Sequence, residues 1–350
     1  MSIAFVVPAG KGTSGGDVYD RRLTEELIAL GRPVRTLAVP GAWPEPDEAA
    51  RIGLGRTLDG LSDGTTVLLD GLVACGVPHL LCPHADRLRL IVLVHLPLAD
   101  EFGLCPHRAR TLDMYERATL HLASKVVATS TWAAQHLSNH HDLATVHAIP
   151  PGTDPAPLAP GGDGRSQLSC VASVTPRKGH DVLLRALAGL SETDWELTCA
   201  GAEPDPDHMA RLREFEQAHG LSDRVHFTGA LTGRALEATY ARADLLVLPS
   251  RAETYGMVIG EALARGVPVI ASAVGGVAEA LGHDLRGHRP GLLVPADEPW
   301  ALREALHRWL TDPVLRKELR VLARLTRPDP AGWTKAAQDM AAVLDREGPC

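Results

Sequence analysis

The chain has 350 residues, 45% hydrophobic and 22% charged, which is enough for two ordinary domains with buried cores. Its formal net charge of −8 excludes nucleic acid or an anionic membrane as the main partner, so an anionic ligand has to be gripped locally by a few cations and backbone N–H groups. The opening MSIAFVVPAG carries no basic leader, and the six scattered cysteines form no framework, so reduced thiols and a cytoplasmic setting are expected.

Ile3 to Val7 is an unbroken apolar run ending in Pro-Ala-Gly, the mark of a buried parallel strand. Gly10-Lys-Gly12-Thr-Ser-Gly15 follows, then a helix from Asp17 to Leu30 stopped by Gly31, then a strand from Val34 to Val39. A G-x-G-x-x-G loop between strand and helix reads as a dinucleotide fingerprint. The acidic residue for an NAD ribose should close the second strand, where the sequence has Ala38-Val39-Pro40. The better reading is that Gly15-Gly16 lets the backbone approach a phosphate, with Asp17 starting the helix. Strands are expected at Thr66–Leu69, Leu90–His95, Lys125–Thr129 and Thr145–Ile149, with a helix at Pro106–Ala123. The longest apolar stretch, 67–82, is broken by Asp70, Gly71 and Pro78, which argues against integral membrane association. Cys82-Pro-His84 and Cys105-Pro-His107 repeat a tripeptide that fits zinc-ligand spacing poorly; they are read as loop turns with buried thiols, and no metal site is expected.

Pro150 to Gly164 is dense in Pro and Gly and reads as a linker. After it, strands at Cys170–Val174, Trp195–Ala200, Arg224–Thr228, Leu245–Pro249, Val267–Ser272 and Gly291–Val294 alternate with helices. Those are His180–Leu190, His208–His219, Tyr255–Arg265 and Pro299–Leu310, and a last helix spans Trp333–Leu344. The pattern implies two doubly wound α/β domains, residues 1–150 and 165–328, joined by linker 151–164 and followed by a terminal helix within 329–350. Such sheets bind ligands at the carboxyl ends of their strands, and two of them facing a central cleft would let two substrates meet.

Thr175-Pro-Arg177-Lys178-Gly179 puts two cations and a glycine at a strand's carboxyl end, a combination that suits a diphosphate. The most informative string is Ser250-Arg-Ala-Glu253-Thr-Tyr-Gly256-Met-Val-Ile-Gly-Glu261-Ala-Leu-Ala-Arg-Gly266-Val-Pro268. Its glutamates are two helical turns apart, about 12 Å. Glu253 stands before the helix. Glu261 lies in an apolar stretch where an unpaired carboxylate would be costly and ligand hydroxyls fitting. The N–H groups of Tyr255, Gly256, Met257 and Val258 offer a helix N-terminus to a phosphate or sugar hydroxyl.

With Gly275-Gly276 and Glu279 after it, this E-x₇-E string closely resembles family 4 glycosyltransferases of the GT-B fold. RKGHDVLLRAL, VHFTGAL and GLLVPADEPWALREAL extend the likeness; the first domain matches more loosely, through Gly15-Gly16, KVVATSTWAAQHL and IPPGTDPAPLAP. The resemblance implies retaining transfer of a sugar from a nucleoside-diphosphate sugar, without metal or cofactor. It implies Glu261 on the ribose, Lys178 and Arg177 on the diphosphate, Glu253 and residues 255–258 on the sugar and β-phosphate, and the Leu231 backbone on the base. His95 would face the sugar, and the terminal helix would cross back to the first domain. UDP is the first choice of base and GDP the second. The acceptor is expected to be small and soluble, near Asp17, Asp70, Asp100 and Glu101, and the chain a monomer or homodimer. One departure stands out: the family's arginine five residues before the lysine is Ser173 here. A nucleotide-sugar epimerase or phosphorylase of the same fold, an NAD oxidoreductase and a non-catalytic sugar-nucleotide binder are the alternatives.

Overall fold

The computed structural model describes residues 3–10, 14–161 and 165–345. Lys11, Gly12 and Thr13 of the first glycine loop, residues 162–164 of the linker, and 346–350 lie outside the described residues. The chain divides into two compact units, Met1–Gly152 with Ala331–Cys350, and Thr153–Pro330.

The first unit is built on six parallel strands: β1 (Ile3–Pro8), β2 (Val34–Val39), β3 (Thr66–Asp70), β4 (Arg89–Val94), β5 (Lys125–Ala128) and β6 (His147–Ala148), in spatial order β2-β1-β3-β4-β5-β6. β3 and β4 are buried almost throughout, which is why they read as continuous apolar runs. β2 lies at the edge and leaves Arg35, Thr36 and Ala38 exposed. The chain leaves β1 toward one edge and β3 toward the other, so the strand order reverses between them.

The first helix runs Gly15–Ala29, and Ser14 is its cap: its hydroxyl accepts the Asp17 N–H, while the Asp17 carboxylate accepts the Ser14 N–H. Asp17 therefore sits inside a capping box instead of opening the helix. Its buried face carries Tyr19, Asp20, Leu23 and Leu27. The last helix, Gly332–Asp345, packs on it within the same unit. Trp333 meets the Tyr19 ring edge-on at 5.7 Å, Thr334 Oγ1 donates to Glu26 Oε2 at 3.0 Å, and Arg32 pairs with Asp345. Tyr19 Oη donates to the Ile149 carbonyl at 2.8 Å.

The second unit holds β7 (Ser166–Val171), β8 (Trp195–Ala200), β9 (Val225–Phe227), β10 (Leu245–Leu248), β11 (Val269–Ser272) and β12 (Gly291–Val294), parallel in the order β12-β11-β10-β7-β8-β9. Its reversal falls between β7 and β10. β7 begins four residues ahead of the expected Cys170–Val174, in register with β8 from Ser166↔Trp195 to Val171↔Ala200, because Ser166, Gln167 and Ser169 hide the start of the apolar run. Trp195 and Trp309 are fully buried, and each indole N–H finds an acceptor, the Leu190 carbonyl at 3.0 Å and Ser166 Oγ at 3.1 Å.

Two expectations are corrected. Cys82 and Cys105 are exposed, Cys82 in a short 3₁₀ turn and Cys105 capping the helix Pro106–Leu122, because helix-terminal positions face outward at these loops. Among the described residues, four helices of ten or more residues lie outside the expected elements: Glu48–Asp59, Thr131–His141, Gly233–Arg242 and Pro313–Leu325. Among the described residues no helix is long and apolar enough to cross a membrane.

Trp333 is 3% exposed and joins the last helix to the first. Trp333→Ala should destabilise the protein by about 3–5 kcal/mol, read as a lowered midpoint in urea unfolding followed by circular dichroism.

Candidate functional site

In the second unit the loop after β7 forms a 3₁₀ turn, Pro176–Lys178, ending at Gly179 with φ +69°. A Cβ at Gly179 would lie 2.1 Å from the Pro249 carbonyl oxygen, so only glycine lets this loop lie against the end of β10. The neighbouring side chains then meet. Lys178 Nζ is 2.5 Å from Glu253 Oε1, and Ser250 Oγ donates to the same oxygen at 2.7 Å. Arg177 Nη1 donates to the Ala252 carbonyl at 3.3 Å, and the Arg251 N–H to the Arg177 carbonyl at 2.8 Å. Arg251 forms a two-pronged pair with Asp181 at 2.9 Å, while its Nε donates to Asp297 at 2.9 Å. Burial pushes the Glu253 carboxyl up, but Lys178 and Arg177 and the hydrogen bonds from Lys178 and Ser250 outweigh it and hold the group below its usual range.

The following helix is Met257–Ala264, two residues shorter at its start than expected, because Gly256 sits at φ +93° and cannot be its first helical residue. Tyr255 and Gly256 precede it, and Met257 and Val258 supply the N-terminal N–H groups, which no side chain among the described residues caps. The Tyr255 hydroxyl is pushed up to about 12 by burial, with the Glu279 charge adding. Glu261 has an internal partner that the sequence did not reveal. Tyr240 Oη donates to its Oε2 at 2.6 Å, under an Arg265 guanidinium 4.6 Å from the Tyr240 ring. Leu231 lies half-buried in the loop between β9 and the helix Gly233–Arg242, and Ser173 lies in the loop after β7.

In the first unit, His95 follows β4 and Asp70 ends β3, both at the carboxyl edge beside the strand reversal. His95 Nε2 is 2.8 Å from Asp20 Oδ1, and one ligating atom each of Asp20, Asp70 and His95 lies within 4.8 Å of the others. The imidazole packs on the first turn of the first helix: a Cβ on Gly16 would stand 3.3 Å from His95 Cδ2. Burial pushes the imidazole down, but the charge and hydrogen bond of Asp20, then Asp70 and Asp17, raise it to about 9. Burial pushes Asp70 up to about 7 against the pull of His95, with Asp20 adding to the rise. A ring held as imidazolium by a carboxylate is an ion pair, whereas a metal ligand must be deprotonated.

The acceptor-side candidates are only partly brought together. Asp70 joins His95, and Asp17, held in the capping box, adds its charge to the same ring. Asp100, raised by burial against the pull of His136, faces that residue at 3.7 Å. Glu101 is exposed, and its Oε1 accepts the N–H of Phe102. Three site residues went unassigned in the sequence: Asp20, Ser250 and Tyr240. Asp20 carried a signal, since 20, 23 and 27 are the spacing of one helix face and the other two are leucines.

Residues 165–312 match the family described as Glycosyl transferases group 1. The D-inositol 3-phosphate glycosyltransferase of Salinispora arenicola is 34% identical over 58% of this chain and 50% of its own length. The GDP-mannose-dependent alpha-(1-6)-phosphatidylinositol monomannoside mannosyltransferase of Mycolicibacterium smegmatis is 29% identical over 94% of this chain and 87% of its own. The chain thus spans about half the length of the first of these relatives. Among solved structures, sucrose-phosphate synthase from Thermosynechococcus elongatus superposes with a TM-score of 0.78 at 24% identity, covering 98% of each chain. HepE from Anabaena, in complex with UDP and glucose, gives 0.75 at 18%, covering 99% of each. The two parallel six-stranded sheets match these GT-B glycosyltransferase structures in fold.

Removing Lys178 leaves the Glu253 charge buried without its cation. Lys178→Ala should cost about 3 kcal/mol in urea unfolding, and adding Glu253→Gln to it should recover part of the loss. His95 should titrate by NMR with a midpoint near 9, falling in Asp20→Asn. Because its folded value lies above the unfolded 6.5, its stabilisation is complete below about pH 6.5 and is lost as pH rises through about 9.

Proposed function

We propose that the chain, whose residues 165–312 match the group 1 glycosyl transferases, transfers a hexose from a nucleoside-diphosphate sugar to a hydroxyl of a small acceptor, with retention at the anomeric carbon. One observation carries the reading: Arg177, Lys178 and the uncapped N-terminus of Met257–Ala264 converge on the loops at the β7/β10 reversal. Anions bind where cations and backbone N–H groups meet at a reversal of strand order. A departing nucleoside diphosphate is such an anion.

The acceptor oxygen attacks the anomeric carbon as the bond to the β-phosphate oxygen breaks, with the electron pair passing to that oxygen. The same oxygen then takes the acceptor proton, so the chain supplies no dedicated base. Lys178, Arg177 and the Met257 and Val258 N–H groups stabilise the charge that develops there. Glu253 positions Lys178, and the second oxygen of Glu261, bonded to no described residue, takes the ribose hydroxyls. His95, as an imidazolium, is assigned to a hydroxyl of the transferring sugar. No metal is assigned to the step. UDP is placed first because HepE holds UDP and glucose, and GDP second because the Mycolicibacterium relative is named for GDP-mannose.

A thermal-shift panel of UDP, GDP, ADP, TDP and NAD tests the donor, and product analysis with UDP-glucose or GDP-mannose and an inositol phosphate acceptor tests the transfer. One nucleoside diphosphate should stabilise the wild type by about 2.7 kcal/mol at 100 Kd, and Glu261→Ala much less. Donor turnover should not require added Mg²⁺ or Mn²⁺. A shift with NAD alone, or an epimerised sugar nucleotide as the sole product, would refute the proposal.

A further inference from the structure

Away from both strand reversals, the helices Pro106–Leu122 and Thr131–His141 of the first unit bring Asp113, His140 and His141 together. One ligating atom of each lies within 4.8 Å of the others, and His140 Nε2 stands 2.5 Å from Asp113 Oδ1. His141 is 1% exposed, and its Nε2 is 2.9 Å from Glu116 Oε1. Glu116 is itself 1% exposed and is fixed by the Leu98 N–H, which donates to its other oxygen at 2.9 Å. A carboxylate on Nε2 places the ring proton there and leaves the lone pair on Nδ1. That Nδ1 is buried and has no hydrogen-bond partner among the described residues. A buried ring nitrogen left unpaired is costly, and a metal ion would use its lone pair.

We propose that Asp113, His140 and His141 bind a divalent transition-metal ion, with zinc the best chemical match. Two imidazoles and one carboxylate suit zinc better than calcium or magnesium, and a fourth position is left for water. Glu116 plays the outer part of a carboxylate–histidine–metal chain, orienting the buried ring. His140 and His141 are the last two residues of their helix, where the carbonyl dipoles favour a cation. The ring of His140 is further aligned by stacking, on His136 at 5.8 Å and through it on Trp132 at 4.9 Å. The nearby Arg117 turns its charge to Asp142, at 2.8 Å, and not to Asp113. None of these residues takes part in the sugar-transfer reading, so the two stand or fall separately.

The test is metal content. Tag-free full-length protein is loaded with zinc, dialysed against metal-free buffer and analysed by mass spectrometry, alongside His140→Ala, Asp113→Asn and the control His283→Ala. These are surface or half-buried positions, chosen because replacing His141 risks the fold. The wild type and control should retain one zinc per chain and melt higher with it. Both site variants should bind at least about tenfold more weakly and lose the shift. Cobalt in place of zinc should give visible bands without thiolate charge transfer. The proposal is overturned if the wild type retains no zinc, if either site variant retains it as well as the control, or if the cobalt spectrum reports a cysteine ligand.

Discussion

Everything at the β7/β10 reversal depends on one close approach, Gly179 against the Pro249 carbonyl. The left-handed φ of +69° and the missing Cβ let two loops from strands adjacent in the sheet but 75 residues apart in the chain share one volume. Once they do, Lys178 is within reach of Glu253, and the Arg177 carbonyl accepts the Arg251 N–H. Arg251 then ties the end of β10 to Asp181, in the first turn of the helix that begins after Gly179. Any side chain at 179 would open this contact and separate cation from carboxylate.

The first unit arranges its own reversal with the charges inverted. There a single imidazole faces two carboxylates, and it does so against the positive end of a helix, where Gly16 allows contact. The helix terminus disfavours an imidazolium by about 0.3–1 kcal/mol, too little to offset a buried carboxylate at hydrogen-bonding distance. His95 therefore stays protonated at neutral pH. A protonated ring has no lone pair with which to act as a base, so it can serve only as a donor and a charge.

Much of this was legible in the sequence, for physical reasons. Strands buried on both faces of a parallel sheet must be apolar throughout, so β1, β3, β4 and β10 announced themselves. The loops at their ends had to carry glycine, which marked Gly179 and Gly256. Pairing across the sheet was not legible. Nothing near Glu253 says that Lys178 is its partner, and nothing near Glu261 names Tyr240. Local pattern also misled where polar residues dilute an element, as Ser166 and Gln167 do in β7, or where glycines interrupt one, as Gly53 and Gly55 do in Glu48–Asp59. Asp20 is different. Its place on a leucine face was visible, and a carboxylate there needs a buried partner, but the sequence could not say that the partner is His95.

The serine at 173 leaves a question of charge that the geometry goes far to answer. The Arg251 guanidinium is committed to Asp181, Asp297 and the Pro176 carbonyl, and so it works as a brace. Arg177 instead lies in the same turn as Lys178 and turns to a carbonyl at 3.3 Å, keeping its charge beside the lysine. Arg177, Lys178 and Glu253 together carry one net positive charge, and the helix beginning at Met257 adds about half a charge more. A diphosphate carries more negative charge than that. On the proposed reading, a diphosphate bound here leans on directed N–H groups as much as on side-chain cations. Those groups are fixed by Gly256 and by the burial of Ile259 and Gly260 behind it, so the start of this helix is held rigidly in place.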